Sequence, residues 1–476
     1  MKKNLPSLVA VACLAVASQL ISCTALYQPV RTDEPAVHSP YDSSRYVLDE
    51  IIVMFKGSPT ETEKNNLKAK INGPHFDASK LKTRKCSSCD GDVELWQAPD
   101  IHTRIHADGL AAGTKSPGSS RPVGQDGLGY YSLNFKQNIP MDSLEKFENL
   151  NGLKKIENDT RGKEVVRIAV LDTGINTEQI IGTSYLWNNP ESKNKCYPGD
   201  RFGWNFIDDD GDVRDDNLNL HGTLVSHFII NQFATSQNKA VEIITLKTHD
   251  ENGSGDLFKS ICAIHYAMKK GAQIINASWG FYYYENGAHP YLDYLITNVL
   301  RKQGILFVAA AGNKMQDADE FAHKAYKAAH GGADIPDSYL RNLEYHNFYP
   351  ACLSNKDNNV VTVTTADENR VSPTQNYSTT YVDIGAMPDD PTLMRFKQPF
   401  ILPPGTTGPV KTVSGSSFAA AIVTGRIGAF LLNSSYTSSM DKYHDVFAPM
   451  EAAGLITKSP ALAADHIRDG RITPHN

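Results

Sequence analysis

The 476-residue chain has no sustained run of lysine and arginine, and its formal net charge is −6. Without a basic block there is no electrostatic footprint for a nucleic acid, so that class of partner is set aside. No stretch reads as a membrane-spanning helix either. The apolar run Leu5–Leu20 follows Met1-Lys2-Lys3-Asn4 and has the length and flank of a secretory signal. The histidines show no His-Glu-x-x-His spacing, so His227, His249, His265 and His346 read as surface or core residues. Cysteine is scarce: beyond the signal and Cys23 there are only Cys86, Cys89, Cys196, Cys262 and Cys352. Cys86-Ser-Ser-Cys89 has zinc-ribbon spacing, but no second Cys or His pair follows, which argues against a metal site. A local disulfide is expected there in an exported chain. Cys262, inside an apolar helical pattern, reads as a buried thiol.

What is present is ordinary globular composition, 41 % hydrophobic and 21 % charged, in a chain long enough for two folded units plus extensions. Residues 1–22 form the expected signal peptide. It ends Leu20-Ile21-Ser22-Cys23, which resembles the bacterial lipobox. That resemblance implies cleavage before Cys23, which then carries acyl chains as the lipidated N-terminus, and attachment to a membrane of a bacterial envelope. Several acyl chains anchor stably where one is marginal. Residues 23–45 are polar and proline-bearing, a tether. Within 46–158, strands are expected at Glu50–Phe55, Val93–Ala98, Gly129–Phe135 and Leu153–Glu157, with helices at Thr60–Ile71 and Met141–Leu150. A Gly-, Ser- and Pro-rich loop interrupts them at Thr103–Gly127. The order β-α-β-β-α-β is the ferredoxin-like, split βαβ arrangement of a small α+β unit.

In 159–433 the pattern changes. Val165–Asp172, Val241–Leu246, Gln273–Ala277, Ile305–Ala310 and Val360–Thr365 are continuous apolar runs, as buried parallel strands are. Helical patterns at His221–Asn231, Leu257–Lys270 and Tyr291–Lys302 alternate with them, so a mostly parallel α/β sheet with helices on both faces is expected. Residues 434–476 read as a helical or irregular C-terminal extension.

Three residues then stand out by position. Asp172 closes a buried strand, where catalytic groups gather in open α/β sheets. His221-Gly222-Thr223 opens a helix. Gly415-Ser416-Ser417 leads into the Ala-rich run ending at Phe430, which puts Ser417 at a positive helix end able to stabilise an oxyanion. A serine hydroxyl needs a base, and the base needs an orienting acid. Asp172, His221 and Ser417 supply all three, in the order Asp, His, Ser known from subtilisin.

Through Val-Leu-Asp172-Thr-Gly-Ile, His221-Gly-Thr-Leu-Val, Ala-Ala-Gly312-Asn313 and Gly415-Ser-Ser417-Phe-Ala-Ala, the sequence resembles the subtilisin-like serine proteases, the subtilase family (peptidase S8), over Val165–Phe430. The resemblance implies a serine endopeptidase, class EC 3.4.21, hydrolysing protein or peptide substrates. Ser417 would be the nucleophile, His221 the base and Asp172 its orienting acid. Asn313 would be the oxyanion-hole donor, and Ser278-Trp279-Gly280 the segment that pairs with the substrate backbone. It further implies that the first unit is an inhibitory propeptide whose tail lies in the cleft.

Departures exist. Ser416 stands for the usual Thr and Ala421 for the usual Pro. Lys314–Phe348 and Met387–Lys411 read as inserted loops, and where the family usually places a longer segment before its Asp motif, Asp159–Val166 gives only eight residues, which leaves self-cleavage there open. The acidic loop Asp208–Asp212 with Asp215 and Asp216 offers carboxylates to calcium. It misses the EF-hand pattern, since the first ligand position would be Phe206, and a solvated loop without a cofactor is preferred. The chain is expected to act as a monomer. Two competing readings remain: an idle subtilase-fold lipoprotein acting as a binding scaffold, and an esterase using the same triad.

Overall fold

A computed structural model of the chain describes residues 45–55, 57, 59–70, 78–104, 129–139, 155–156, 162–191, 193, 195–234, 239–283, 289–390, 400–401, 412–432 and 441–474. The signal peptide, Cys23, nearly all of the tether and the helix expected at Met141–Leu150 lie outside these residues, as do most of the Gly/Ser/Pro-rich loop and of the strand expected at Leu153–Glu157.

Among the described residues, the first unit is a sheet with one α-helix. Its strands are β1 (Tyr46–Phe55), β2 (Lys82–Lys85), β3 (Val93–Gln97) and β4 (Gly129–Asn138), and α1 spans Glu61–Lys70. Thr60 and Glu63 start α1 as a capping box: the Glu63 N–H donates to Thr60 Oγ1 at 3.2 Å and the Thr60 N–H to Glu63 Oε2 at 2.7 Å. The strands pair antiparallel in the order β2-β3-β1-β4, that of a split βαβ unit. A different set of strands reaches that order. β2 reads Lys-Thr-Arg-Lys and has no apolar residue to betray it, so Val93–Gln97 is the third strand of the unit and Gly129–Asn138 the fourth.

The second unit contains β5 (Glu164–Asp172), β6 (Gly203–Asn205), α2 (His221–Asn231), β7 (Lys239–Lys247), β8 (Ser254–Asp256), α3 (Leu257–Lys269) and β9 (Ile274–Ala277). It continues with β10 (Phe281–Tyr282), β11 (Leu306–Ala310), α4 (Gln316–Ala329), β12 (Phe348–Tyr349), β13 (Val360–Thr365), β14 (Ile384–Ala386), β15 (Phe400–Ile401) and β16 (Thr412–Val413). The long α5 (Ser416–Leu431) and the short β17 (Thr457–Lys458) and β18 (Arg471–Thr473) complete it. Nine strands form the main sheet in the order β17-β18-β14-β13-β11-β9-β5-β7-β6, and only β17 runs antiparallel to its neighbour.

Period-two alternation along β5 divides the core. Val166, Ile168 and Val170 join the cluster that includes α2 and α5, while Ala169 and Leu171 join the one that includes α3. Chain order reverses at β5, with β7 on one side and β9 on the other. A crevice therefore opens at the carboxyl end of β5, where Asp172 sits.

Three expectations are corrected. The C-terminal residues are not an appendix: β18 pairs with β14 as a strand of the main sheet, because Ile472 is buried beside the sheet core. Lys314–Phe348 is not a plain loop but carries α4 and a second short helix, Asp337–Arg341. Finally, Cys86 and Cys89 do not bond each other, and Cys262 is no free thiol. Cys86 bonds Cys262 and Cys89 bonds Cys196, so both disulfides join the first unit to the second. Cys86 and Cys89 flank a turn, and the partners they face come from α3 and from the loop before β6. Cys352 is the free, buried cysteine among the described residues.

Candidate active site

Asp172 ends β5 and is 1 % exposed. Its Oδ1 accepts from the Thr173 N–H and from His221 Nδ1, both at 2.8 Å. A carboxylate only accepts, so the Nδ1 nitrogen carries the proton and Nε2 is left as the basic nitrogen. His221 is the first residue of α2, preceded by Leu220 at φ 50°, a left-handed turn rare for a branched side chain. Close approach fixes its neighbour. A Cβ on Gly222 would stand 2.5 Å from the Gly174 carbonyl oxygen, so only glycine lets α2 start against the turn that follows Asp172.

Asp215, buried behind both motifs, couples them. It accepts from Thr173 Oγ1 at 2.9 Å and from the Thr223 N–H and Oγ1 at 2.9 and 2.6 Å, which ties the residue after Asp172 to the second residue after His221. Burial pushes its carboxyl above the usual range, against the pull of the threonine hydrogen bonds. Sequence reasoning left Asp215 inside an acidic loop, and only its separation from Asp208–Asp212 by Val213-Arg214 hinted otherwise. Other carboxylates of that loop have partners within the protein. Asp208 accepts from Asn205 Nδ2, Asp212 pairs with Arg214, and Asp216 pairs with Lys247 at 2.5 Å. Among the described residues, the group whose potential metal-ligand atoms converge is instead Asp49, Asp100 and His102, far along the chain from the triad candidates.

Ser417 lies in the first turn of α5, as its motif predicts. The first turn leaves N–H groups without helical acceptors. Ahead of it Gly415 adopts φ 127°, a conformation that favours glycine, and a Cβ there would come tightly to 3.3 Å of Asn313 Nδ2. Asn313 Oδ1 accepts from the Ser416 N–H at 3.0 Å, which turns the Asn313 NH2 the other way. Ser416 Oγ accepts from the Gly312 N–H at 3.1 Å, so serine here knits the Asn313 turn to α5. The His221 and Phe418 rings lie 5.3 Å apart, bringing the start of α2 to the start of α5. The Ser417 hydroxyl itself donates to the Ser278 carbonyl at 3.2 Å rather than to His221.

Ser278-Trp279-Gly280 follows β9 to this point. Ser278 Oγ lies 3.0 Å from both Asn276 Oδ1 and the Ser417 carbonyl. Trp279 is buried, its ring 6.2 Å from that of His249, so in this structure it packs rather than lines an open pocket. Gly280 forms an antiparallel bridge with Asn138 of the first unit. On the opposite side, Lys136–Asn138 pairs antiparallel with β8, and the Ile139 N–H donates to the Gly253 carbonyl at 2.9 Å. The end of β4 is thus a strand held between β8 and Gly280, running toward Ser278.

Residues 162–456, more than half of the chain, match the family model described as the subtilase family, peptidase S8. The chain is 26 % identical over 286 residues to subtilisin-like protease 1 of Plasmodium berghei (strain Anka), covering 56 % of this chain and 42 % of that protein. It is 31 % identical over 200 residues to the major intracellular serine protease of Bacillus subtilis (strain 168), covering 40 % and 56 % respectively. The chain thus spans about half the length of these relatives. Fervidolysin from Fervidobacterium pennivorans, described as a keratinolytic enzyme related to subtilisin, superposes with a TM-score of 0.55 at 15 % identity over 91 % of this chain and 61 % of that one, a likeness of fold. On the family match, and with Asp172, His221, Asn313 and Ser417 gathered at one rim of the sheet, the chain belongs to the subtilase family of subtilisin-like serine proteases.

Proposed function

We propose that the protein is an exported serine endopeptidase, latent while the end of β4 occupies its cleft. The observation that carries this reading is the buried Asp172–His221 hydrogen bond at 2.8 Å, made where α5 begins with Ser417. Ser417 Oγ, rotated from the Ser278 carbonyl toward His221 Nε2, attacks the peptide carbonyl carbon while Nε2 takes the proton. The imidazolium so formed is stabilised by Asp172 and returns the proton to the leaving amine. Charge on the carbonyl oxygen is met by the Asn313 NH2 and the Ser417 N–H. Water then repeats the sequence on the acyl-enzyme, with His221 again the base. Ser278–Gly280 and Ser254–Asp256 offer an extended peptide backbone pairing on both sides, which favours peptide over ester substrates.

Residues 46–158 act as the propeptide-like unit, and the two disulfides keep it attached even if the linker is cut. Those disulfides also support export into an oxidising compartment, where such bonds persist. Cys23 is the expected lipid anchor. Among the described residues no helix is long and apolar enough to cross a membrane. The mass of the mature N-terminal peptide tests the anchor, and an unacylated N-terminus away from Cys23 rejects it. For catalysis, a fluorophosphonate probe should label Ser417 in the wild type and label neither Ser417→Ala nor, at a comparable rate, His221→Ala. An unreactive wild type under conditions that free the cleft would favour the scaffold reading.

A further inference from the structure

The end of β4 reports what the cleft accepts. Side chains alternate along it: Phe135, Gln137 and Ile139 are buried, whereas Lys136 and Asn138 are exposed. Asn138 faces Gly280 in an antiparallel bridge, so a peptide on this path places the residue two positions further on opposite Ser278. The Ser278 carbonyl is the group that the Ser417 hydroxyl touches, so that residue would carry the scissile carbonyl. Counting back from it, Asn138 holds the third position before the scissile bond and Gln137 the fourth.

Gln137 is an unusual residue to bury completely. It is 0 % exposed, and its Oε1 accepts from Ser260 Oγ at 2.7 Å, a hydroxyl that is itself fully buried on α3. Its Nε2 finds no partner among the described residues. Burying a primary amide costs free energy unless its hydrogen bonds are replaced, and leucine at this place would avoid that cost. The pocket is therefore matched to a carbonyl acceptor of glutamine length by one hydroxyl, Ser260. Glutamate would fit the shape but bring an unpaired charge.

We propose that Ser260 is a specificity-determining residue that selects glutamine at the fourth position before the scissile bond, and that the substrates are proteins with an extended segment bearing glutamine there. The inference rests on the reading of Ser417 as the nucleophile. A pocket that hydrogen-bonds a substrate group rejects analogues lacking it, because its own polar group is left unpaired.

The test uses the full chain and three acetylated fluorogenic peptides, Gln-Asn-Ile-X, Leu-Asn-Ile-X and Glu-Asn-Ile-X, with X a mixture of residues before the fluorophore. Competing them in one reaction gives the ratio of kcat/KM whatever fraction of the enzyme has an open cleft. The expected result is glutamine over leucine in the wild type, with the glutamine-to-leucine ratio falling about tenfold in Ser260→Ala, the size of one net hydrogen bond. Equal rates, or leucine preferred, in the wild type overturn the proposal. If the closed cleft admits no peptide, labelling of Ser417 by a fluorophosphonate decides instead. Gln137→Leu and Ser260→Ala should each label several-fold faster than the wild type, and unchanged rates overturn it. A serine that reacts with no probe in any of these variants refutes the proteolytic reading itself, an outcome distinct from reactive serine without glutamine preference.

Discussion

Replacing Cys86 and Cys89 by serine removes both disulfide links between the first unit and the peptidase unit, and the consequence can be worked from their placement. Cys86–Cys262 closes a sequence separation of 176 residues and Cys89–Cys196 one of 107. In the chain-entropy picture a loop of this length stabilises by roughly 5 kcal/mol, and measured values are typically 2–4 kcal/mol. The larger effect is on latency. A specific protease site placed in residues 157–163 allows the linker to be cut at will. With the disulfides intact, the cut first unit stays at an effective concentration on the order of 1 mM and β4 remains between β8 and Gly280. In the double variant at about 1 µM enzyme, the cut unit loses about a thousandfold in effective concentration, and the cleft opens to that extent unless its affinity is tighter than the enzyme concentration. The assay is fluorophosphonate labelling of Ser417 after cutting, across a dilution series. Wild type should label slowly at every dilution, migrate as one species without reductant and as two with it; the double variant should label faster as it is diluted. Equal, dilution-independent labelling in both would refute the idea that the disulfides hold the cleft shut.

Asn313→Ala should lower kcat by about 10²–10³ with little change in KM, the magnitude established on subtilisin itself, and steady-state kinetics would read it. Asp215→Ala should lower the thermal midpoint and slow Ser417 labelling together, since it strands the Thr173 and Thr223 donors at about 1–3 kcal/mol for each buried unsatisfied group. A variant stable as wild type would show that those donors find other acceptors. Stability should also fall with acid. Burial holds His227 and His249 at about 4 and His289 and His346 at about 3, against 6.5 when unfolded. Between those values the unfolded chain binds protons that the folded one refuses, so stability is present above pH 6.5 and is lost as pH falls toward 4. At pH 5 the loss is about 2 kcal/mol for each histidine, readable as a drop in urea midpoint from pH 7. A flat midpoint over that interval would contradict the burial.

Local chemistry made the peptidase unit readable from its sequence. The apolar runs of β5, β7, β9, β11 and β13 fall where strands form, because a strand buried on both faces has no polar side to disguise it. Asp172, His221 and Ser417 fall at element ends for reasons present within a few residues: a strand stop, a glycine that permits close approach, a helix start. β2 stayed hidden because an exposed edge of lysine, threonine and arginine carries no alternation, and that shifted the assignment of every later strand in the first unit. β18 is only three residues long and is a strand by virtue of its neighbour β14. Partners distant in sequence belong to the tertiary structure alone. Spacing could not choose Cys262 and Cys196 over a bond between Cys86 and Cys89, since the choice depends on which loop and helix the turn at 86–89 meets. Nor could an acidic loop announce that Asp215 braces the Asp172 and His221 motifs, or a β-strand that Gln137 ends against Ser260. Side-chain type and local period are written along the chain; which buried polar groups satisfy one another is decided only when the sheet, α3 and the first unit close together.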